Sequence, residues 1–527
     1  LCGGYHFDVL QIYRDQRVNR DRSHYLLTGA TGLLGQAVLR AAMLVDRPMA
    51  VIVRSRPGQS ARRRLDAMIA RWEEDLDRWL PRPVVLEGDL HKPRCGLDDR
   101  ALAWVAAHCS TVIHSAASLV FYAASSGEPW STNVDGTRHL LELCRAASIH
   151  HCFHVSTAYV SGRRTGRVLE SELDVGQSLG NDYERSKLEA ERLVRGAAHL
   201  TTTTILRPSI VVGDSRTGYT PTFHGFYRPL QAIFSPGGQA DGSPRRASYL
   251  EELGLAGNER KNLVPVDWVS AMMWRIINDP DSHGQTYHLA SEHPVTVDDI
   301  ERATADAIAR HDGAARRTAG PGGENGAAAA SFADQLHAYR AYFRDDAQFD
   351  TSNLRRVAGS VSCPRLTHEV LVRLARYALT VNFGWPRPAD PAPPLDVEAC
   401  LADLDLAWQA EPPARSLGFD VLGPGGGRWQ IGFAGDEPST LTAGCPHAGC
   451  PTVRVDVETL ADLLSGKLSA SAALHAGRLL VEASADQAPA TLAQWSALVA
   501  HFGRSVPAVP SQVCNPAISK RPAVHAQ

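Results

Sequence analysis

The sequence lacks the features that would place the protein in several large classes. It contains no uncharged apolar run of the ~18 residues that a membrane-spanning helix needs, and residues 1–22 lack the apolar core of a secretory signal. Neither sign of charge dominates, because 54 basic and 57 acidic residues leave a net charge of −3. We therefore expect no transmembrane segment and no nucleic-acid partner. The cysteines follow no disulfide spacing, which favours reduced thiols and a cytoplasmic location.

Cysteine and histidine are also too sparsely clustered for a metal centre. The string Cys445-Pro-His447-Ala-Gly-Cys450 offers three ligands, whereas a structural zinc site needs about four. A Rieske centre needs a second pair of cysteine and histidine, and no histidine follows Cys514 at a short spacing. We therefore expect no metal.

Short apolar runs alternate with helical patterns from Tyr25 to about Asp299. This rhythm is typical of βαβ units in a doubly wound parallel sheet. The β-branched, apolar character of the runs suits strands covered by helices on both faces. The predicted strands are Tyr25–Thr28, Met49–Val53, Val84–Leu86, Val112–His114, Phe153–Ser156 and Thr204–Leu206.

Three glycines follow the first predicted strand at the spacing GxxGxxG. This spacing lets the backbone turn tightly, approach a pyrophosphate and start a helix whose N-terminal amides attract the anion. The second strand ends at Arg54 and Arg56, where an NAD site usually has an acid for the ribose and an arginine would hold a 2′-phosphate. The sequence therefore favours NADP(H) over NAD(H), with solvated loop arginines as the alternative. The cofactor contacts predicted from these strand ends are Gly29, Thr31, Gly32, Leu33, Leu34, Gly35, Arg54, Arg56, Asp89, Leu90, Ser115, Ala116 and Ala117.

Tyr183 and Lys187 are four residues apart, so on a helix they share one face. An ammonium beside a phenol favours the phenolate, and we expect it to lower the pKa of Tyr183 from about 10. The tyrosine can then transfer a proton while a nicotinamide transfers a hydride. The fifth strand ends in the hydroxyls of Ser156 and Thr157, at the edge where open α/β sheets bind ligands. We predict that Thr157 holds the substrate oxygen, with Ser156 as the second candidate.

Four strings of the chain resemble the extended short-chain dehydrogenase/reductase family. They are Val155-Ser-Thr-Ala-Tyr-Val160, Tyr183-Glu-Arg-Ser-Lys187, Arg207-Pro-Ser-Ile-Val-Val-Gly-Asp-Ser215 and Asn262-Leu-Val-Pro-Val-Asp-Trp268. More narrowly, they are similar to its fatty acyl-CoA reductase and thioester reductase branch, the male-sterility type. The resemblance implies NADPH-dependent reduction of an acyl thioester, carried by CoA or an acyl carrier protein, to an aldehyde and sometimes an alcohol. It also implies that Lys187 holds the nicotinamide ribose, that Tyr183 lies against the cofactor, and that Pro208, Ser209 and Ile210 line the same site. Asn133 is implied at this cofactor site too, with structural support as its favoured role.

The implied chemistry suits the residues. Hydride addition to a thioester carbonyl creates an oxyanion, which the hydroxyls of Thr157 and Tyr183 can stabilise. Collapse then expels a thiolate, a good leaving group because thiols have a pKa near about 8.5. Arg62, Arg63 and Arg64 fall in a predicted helix rich in acids, which favours a solvated face over a phosphate site.

A second pattern lies near the C-terminus. Leu460, Leu463, Leu464 and Leu468 share one helical face, and a short helix and a strand follow at 472–482. This string resembles the sterol carrier protein domain, a small α+β fold with an apolar tunnel. The resemblance covers about 396–503 and implies a lipid ligand; the alternative is an apolar core without a ligand.

The predicted fold is α/β, with a doubly wound Rossmann sheet, a helical cap and a small C-terminal α+β domain. The preferred function is an NADPH-dependent thioester reductase. The alternatives are a hydroxysteroid or keto-lipid dehydrogenase, a nucleotide-sugar epimerase, and a lipid-binding protein with a vestigial reductase domain. The predicted segments are an N-terminal extension (1–22), an NADP-binding reductase domain (23–300), its helical cap (301–384), a proline-rich linker (385–394), the sterol-carrier-like domain (395–503) and a disordered tail (504–527).

Overall fold

The computed structural model contains two large sheets. It describes residues 24–56, 60–227, 230, 255–315, 342, 344–384, 395–402, 407–408, 416–434, 437–444, 450–475, 478–483 and 487–505. The predicted N-terminal extension, the proline-rich linker and the tail beyond residue 505 lie outside the described residues. The same is true of most of the Cys445 to Cys450 string.

The regular elements follow one another as short strands and longer helices. The strands are β1 (His24–Thr28), β2 (Met49–Val53), β3 (Val84–Glu87), β4 (Cys109–His114), β5 (His151–Val155), β6 (Arg167–Val168), β7 (Thr202–Pro208), β8 (Ile210–Val212), β9 (Arg260–Lys261), β10 (Leu263–Pro265), β11 (Thr286–Leu289), β12 (Val295–Thr296), β13 (Gln348–Phe349), β14 (Ala407–Trp408), β15 (Ser416–Leu422), β16 (Gly427–Ala434), β17 (Glu437–Ala443), β18 (Thr452–Asp456) and β19 (Leu479–Glu482). The helices are α1 (Leu33–Leu44), α2 (Ala61–Leu76), α3 (Asp99–His108), α4 (Gly136–Ala146), α5 (Asp182–Arg195), α6 (Val266–Asn278), α7 (Val297–Ala315), α8 (Ser352–Ala358), α9 (His368–Thr380), α10 (Val397–Ala402), α11 (Val457–Leu464), α12 (Ala470–His475) and α13 (Ala488–Ser505).

Seven parallel strands form the main sheet in the order β3-β2-β1-β4-β5-β7-β11. The order reverses between β1 and β4, which creates the switch point where such sheets bind ligands at their carboxyl edge. The predicted doubly wound sheet and its six strands are confirmed to within a few residues. The seventh strand, β11, was not predicted, because its four residues include a histidine and a threonine that weaken the apolar pattern.

The helices around the site begin at polar caps that satisfy exposed amides. Asn181 accepts a hydrogen bond from the amide of Glu184 and starts α5. Ser60 accepts one from the amide of Arg63 and starts α2. These caps fix where the first turn of each helix begins, and both turns carry predicted or candidate site residues.

The cap region contacts β11, an edge strand of the main sheet, through α8. Helices α7 and α9 contact each other along their lengths, and Leu371, Leu374 and Ala375 of α9 are fully buried in a separate apolar cluster. Helix α9 is therefore a packed element of the region that the sequence predicts to be a helical cap.

The C-terminal region forms a six-stranded mixed sheet in the order β14-β17-β16-β15-β18-β19. Its inner face packs on α11 and α13, with Phe419, Trp429 and Trp495 almost fully buried. The predicted helix, short helix and strand correspond to α11, α12 and β19. A separate α+β fold is therefore confirmed, and most of its sheet comes from 416–443, where the sequence pattern was uninformative.

One apolar cluster runs through both sheets. It contains Val84 and Leu86 of the main sheet together with Phe419 and Trp429 of the C-terminal sheet. At this junction the indole Nε1 of Trp104 donates a 2.5 Å hydrogen bond to the carbonyl oxygen of Ala443. The two regions are thus packed against one another, although the sequence suggested a separate C-terminal unit.

Two further expectations concern absences. Within the described ranges, every helix is too short or too polar to cross a membrane. Among those same residues, no group of three or more histidine, cysteine, aspartate or glutamate side chains is arranged to hold a metal.

Candidate active site

The glycine-rich turn joins β1 to α1 at the switch point of the main sheet. Gly29 has a φ of +76°, and a Cβ there would lie 2.5 Å from the backbone nitrogen of Ala116. A Cβ on Gly35 would lie 2.0 Å from the carbonyl oxygen of Gly29. The turn is closed by a 2.9 Å hydrogen bond from the amide of Gly32 to that same oxygen. Glycine is therefore required for the close approach of two strand ends and of α1.

Two arginines border this turn. Arg54 is exposed at the carboxyl end of β2, with its guanidinium 3.8 Å from the carboxylate of Asp89. Arg64, in the first turn of α2, donates to the carbonyl oxygen of Arg54 and lies 3.4 Å from Oγ1 of Thr31. The sequence interpretation had placed Arg64 on a solvated face. The structure corrects this, because α2 directs Arg64 towards the glycine-rich turn.

Asp89 accepts hydrogen bonds from His91 at the same carboxyl edge of the main sheet. The backbone amide and the ring Nδ1 of His91 lie 3.1 and 2.8 Å from its Oδ1. Burial acts to raise the pKa of Asp89, but these hydrogen bonds and the charge of Arg54 hold the pKa below its usual range. The carboxylate is therefore ionised at neutral pH.

Thr157 and Tyr183 are hydrogen-bonded to each other through their side chains. Thr157 is buried directly after β5, and Tyr183 is partly buried in the first turn of α5. Ser156 is directed elsewhere, towards the carboxylate of Glu191. The geometry therefore favours Thr157 over Ser156 as the partner of the phenol.

Lys187 lies one helical turn after Tyr183 and is buried. Its Nζ donates a 2.8 Å hydrogen bond to the carbonyl oxygen of Val155, and burial lowers its pKa to about 8. Burial also raises the pKa of Tyr183 to about 12, against the smaller opposite effect of the hydrogen bond with Thr157. The expected lowering of the Tyr183 pKa is thus not found, because burial and the charge of Glu184 both raise it and only the hydrogen bond with Thr157 opposes them.

Asn133 links the elements around Tyr183. Its Oδ1 accepts a 2.8 Å hydrogen bond from the amide of Ser118, and its Nδ2 donates a 2.9 Å bond to Oγ of Ser186. The carbonyl oxygen of Phe121 in turn accepts from the amide of Tyr183 at 3.3 Å. Asn133 therefore ties the loop after β4 to α5, which positions the tyrosine from two sides.

The other predicted cofactor residues lie along the same carboxyl edge. Arg56 is exposed at the end of β2. The amide of Ser115 donates a 3.3 Å hydrogen bond to the carbonyl oxygen of Thr28. The rest occupy the first turn of α1 (Leu33, Leu34), the loops after β3 and β4 (Leu90, Ala117) and the passage from β7 to β8 (Pro208, Ser209, Ile210).

Arg207, the first residue of the string Arg207–Ser215, forms a buried ion pair with Glu191. Nε and NH2 of Arg207 lie 3.0 and 2.6 Å from the two carboxylate oxygens of Glu191, and both side chains are fully buried. Glu191 is on α5, so the pair fixes the catalytic helix against β7.

Sequence reasoning missed a buried polar chain below the glycine-rich turn. Nδ1 of His114 lies 2.7 Å from Oγ1 of Thr28, and its Nε2 lies 3.1 Å from Oγ1 of Thr137. Burial lowers the pKa of His114 to about 3, so the ring is neutral and bridges β1 to α4. The sequence signal that could have revealed this chain is a histidine at the end of an otherwise apolar strand.

The fold and this site define a dinucleotide-binding α/β domain. Residues 27–273 match the family described as "Male sterility protein", and residues 397–501 match "Sterol carrier protein domain". The chain therefore contains one segment that matches the male sterility family and a second segment that matches the sterol carrier protein domain. Both resemblances predicted from the sequence are confirmed.

Similar proteins occur in enzymes that assemble peptides and polyketides. The crystal structure of the terminal R domain from the myxalamid PKS-NRPS biosynthetic pathway is 26% identical, with a TM-score of 0.54, and the match covers 71% of this chain and 94% of that one. A nonribosomal peptide synthetase of Aspergillus flavus, asaC, is 28% identical over 52% of this chain, and the large subunit of L-2-aminoadipate reductase of Penicillium chrysogenum is 27% identical over 51%. The chain spans 27% and 19% of the lengths of these two relatives.

Proposed function

We propose that the protein is an NADPH-dependent reductase that converts acyl thioesters to aldehydes. The observation that carries the proposal is the hydrogen bond between Thr157 and Tyr183, at the same sheet edge as the glycine-rich turn. The match to the male sterility family and the likeness to a terminal R domain support it. NADPH, when bound, would supply the hydride.

The proposed catalytic residues act on the oxygen of the thioester. A phenol whose pKa is raised to about 12 stays protonated at neutral pH, as a group that donates to a developing oxyanion must. The hydroxyl of Thr157 supplies a second donor to the same oxygen. The ammonium of Lys187 adds a positive charge behind Tyr183 and would hold the nicotinamide ribose. Departure of a thiolate then leaves an aldehyde.

The cofactor preference rests on the charges at the end of β2. Arg54 and Arg64 would bind the 2′-phosphate, which NADPH has and NADH lacks. Gly29, Gly32 and Gly35 fit the pyrophosphate, because two of these positions have no room for a Cβ. We therefore assign NADP(H) as the cofactor and treat both arginines as selectivity residues.

The substrate is proposed to be an acyl group carried by CoA or by a carrier protein. The named relatives are peptide synthetases and an aminoadipate reductase, which supports a pantetheine-bound thioester. The C-terminal domain is proposed to bind a lipid tail. We place the protein in the cytoplasm, where buried thiols such as Cys144 and Cys152 remain reduced.

The test is NADPH oxidation by the full chain with a series of acyl-CoA substrates, with free thiol and aldehyde measured in parallel. Equal amounts of oxidised cofactor and released thiol are expected. Tyr183→Phe should lower both by at least about a hundredfold, while Tyr122→Phe, a change on the exposed loop after β4, should leave both intact. Oxidation of NADPH by a keto-lipid without thiol release would favour a dehydrogenase, and cofactor binding without turnover would favour a lipid-binding protein.

A further inference from the structure

The turn between β15 and β16 lies against one face of α2. The carbonyl oxygen of Gly426 accepts a 2.8 Å hydrogen bond from NH1 of Arg62, and the amide of Gly425 donates a 3.0 Å bond to Asp66. Arg62 and Asp66 are four residues apart, so they share a face of the helix. The turn needs glycine, because a Cβ on Gly426 would lie 2.2 Å from the carbonyl oxygen of Val421. At this turn the C-terminal domain contacts α2 through two backbone groups.

The part of α2 that faces this turn is held by a buried network of ion pairs. Nε of Arg82 lies 3.2 Å from Asp66, and its NH1 and NH2 donate bonds of 2.6 and 3.0 Å to the two oxygens of Glu73. All three side chains are buried. This buried network holds α2 between Asp66 and Glu73, whereas Arg62 and Arg64 lie in the turn before Asp66 and depend on contacts of their own.

Arg62 is also held by a carboxylate of the C-terminal domain. Oε2 of Glu398, in α10, lies 2.5 Å from Nε of Arg62. The side chain of Arg62 is only 14% exposed, and that of Glu398 is 40% exposed. A planar guanidinium with two fixed acceptors is oriented more tightly than a solvated one.

The same helical turn carries Arg64. Arg62 lies two residues before Arg64, and Arg64 in turn contacts Thr31 and the carbonyl oxygen of Arg54 at the glycine-rich turn. We propose that Arg62 is a positioning residue through which the C-terminal domain holds Arg64 at the cofactor site. This inference rests on the proposed function, because it assigns the adenosine end of NADPH to that site. The sterol-carrier-type domain thereby has a role in cofactor binding that is independent of any lipid.

A pure charge effect makes a different prediction for Glu398. If the carboxylate influenced NADPH only through its charge, its removal would strengthen binding of the anionic cofactor. If it positions Arg62, its removal weakens binding. Arg63 offers a matched control, because it is exposed on the same turn and its loss removes the same charge as loss of Arg62.

The experiment compares Arg62→Ala, Glu398→Ala and Arg63→Ala in the full chain. Each variant is titrated with NADPH by fluorescence, its steady-state constants are measured with an acyl-CoA, and its thermal unfolding is checked. We expect Arg62→Ala and Glu398→Ala each to raise the Kd and KM for NADPH about fivefold, the lower end for coupled sites. Their kcat and their KM for the thioester should stay within about twofold of the wild-type values. For the control Arg63→Ala, the Kd and KM for NADPH, kcat and the KM for the thioester should all stay within that range. The double variant Arg62→Ala/Glu398→Ala should be no weaker than Arg62→Ala, since both act through one contact.

Unchanged or tighter NADPH binding by Glu398→Ala would overturn the inference, as would equal effects of Arg62→Ala and Arg63→Ala. If the alanine variants unfold, Glu398→Met keeps the length of the side chain and removes both oxygen acceptors, and the same Kd shift is required of it. Failure of the proposed function is distinguishable, because the wild-type protein would then bind no NADPH or reduce no thioester. An active wild type with three unaffected variants contradicts the positioning role alone.

Discussion

Lys187 donates a 2.8 Å hydrogen bond from its ammonium to the carbonyl oxygen of Val155. The bond ties the middle of α5 to the last residue of β5, immediately before Ser156 and Thr157. Burial lowers the pKa of this lysine to about 8, and the charge of Glu191 opposes that shift, so the ammonium still predominates at neutral pH. The position of the ammonium is thus set by the backbone of the sheet.

The activity should depend on pH through Lys187. Burial lowers the pKa of Lys187 to about 8, so the fraction of charged lysine falls as the pH rises through that value. We expect kcat/KM to decrease about tenfold per pH unit above the pKa, which a pH profile from 6 to about 10 measures. Lys187→Arg should remove this limb because the guanidinium remains charged, and an unaltered limb in that variant would assign it to another group.

Loss of stability does not explain such a decrease. At pH values between about 8 and the ordinary pKa of lysine, the unfolded chain binds more protons at this residue than the folded protein does. The contribution of Lys187 to the free energy of unfolding therefore rises with pH in that window. Unfolding curves at pH 7 and about 9.5 should show no destabilisation from this group, which separates a catalytic effect from a structural one.

Replacement of Tyr183 tests the proposed proton donor. Tyr183→Phe removes the hydroxyl that bonds to Thr157 and keeps the ring in place. We expect kcat to fall by about 10²–10⁴-fold, with the Kd for NADPH within about threefold of the wild-type value. Thr157→Val should also lower kcat, by a smaller factor because the phenol remains. A Tyr183→Phe enzyme with normal kcat would exclude the phenol from the reaction.

Cofactor selectivity should follow Arg54. Arg54→Asp places an acid where a 2′-phosphate is proposed to bind. It also puts a carboxylate beside Asp89, in place of the guanidinium that lies 3.8 Å from it. We expect the ratio of kcat/KM for NADPH over NADH to fall by at least about tenfold, since like charges repel. Arg167→Asp, an exposed change on β6, is the control for added negative charge. An unchanged ratio would discard Arg54 as a selectivity residue.

The buried pair of Arg207 and Glu191 should dominate the stability of the catalytic helix. Arg207→Met removes the bidentate partner of the fully buried Glu191 and leaves Arg195 as its remaining guanidinium, so the cost should be at the lower end of the about 3–5 kcal/mol typical of a broken buried pair. Arg192→Met on the same helix removes exposed ion pairs and should cost under about 1 kcal/mol. Denaturant unfolding measures both, and equal losses would contradict the assigned difference.

Much of the main sheet was predictable, because its strands are continuous apolar runs and the glycine spacing occurs where a parallel sheet needs it. The pairing of Tyr183 with Lys187 was predictable as well, since helical geometry alone puts them on one face. The effect on the pKa of Tyr183 was predicted in the wrong direction. The sequence shows a neighbouring charge, whereas the degree of burial depends on the whole fold.

Other residues gave no local signal. Arg64 is one of three consecutive arginines, and only the packing of α2 distinguishes it from Arg63. The strands at 416–443 contain glycine and threonine at positions where a turn or loop is equally typical. The contact between Arg62 and Glu398 joins residues 336 positions apart, a separation that no periodicity reveals.

The apolar cluster shared by the two sheets has a consequence for the energetics of the whole chain. Val84 and Leu86 are buried in one apolar cluster with Phe419 and Trp429. Removal of the C-terminal region would therefore expose an apolar edge of the Rossmann sheet to water. Such a surface promotes self-association. Both regions should therefore lose their structure in one cooperative calorimetric transition, and a truncated nucleotide-binding fragment should aggregate.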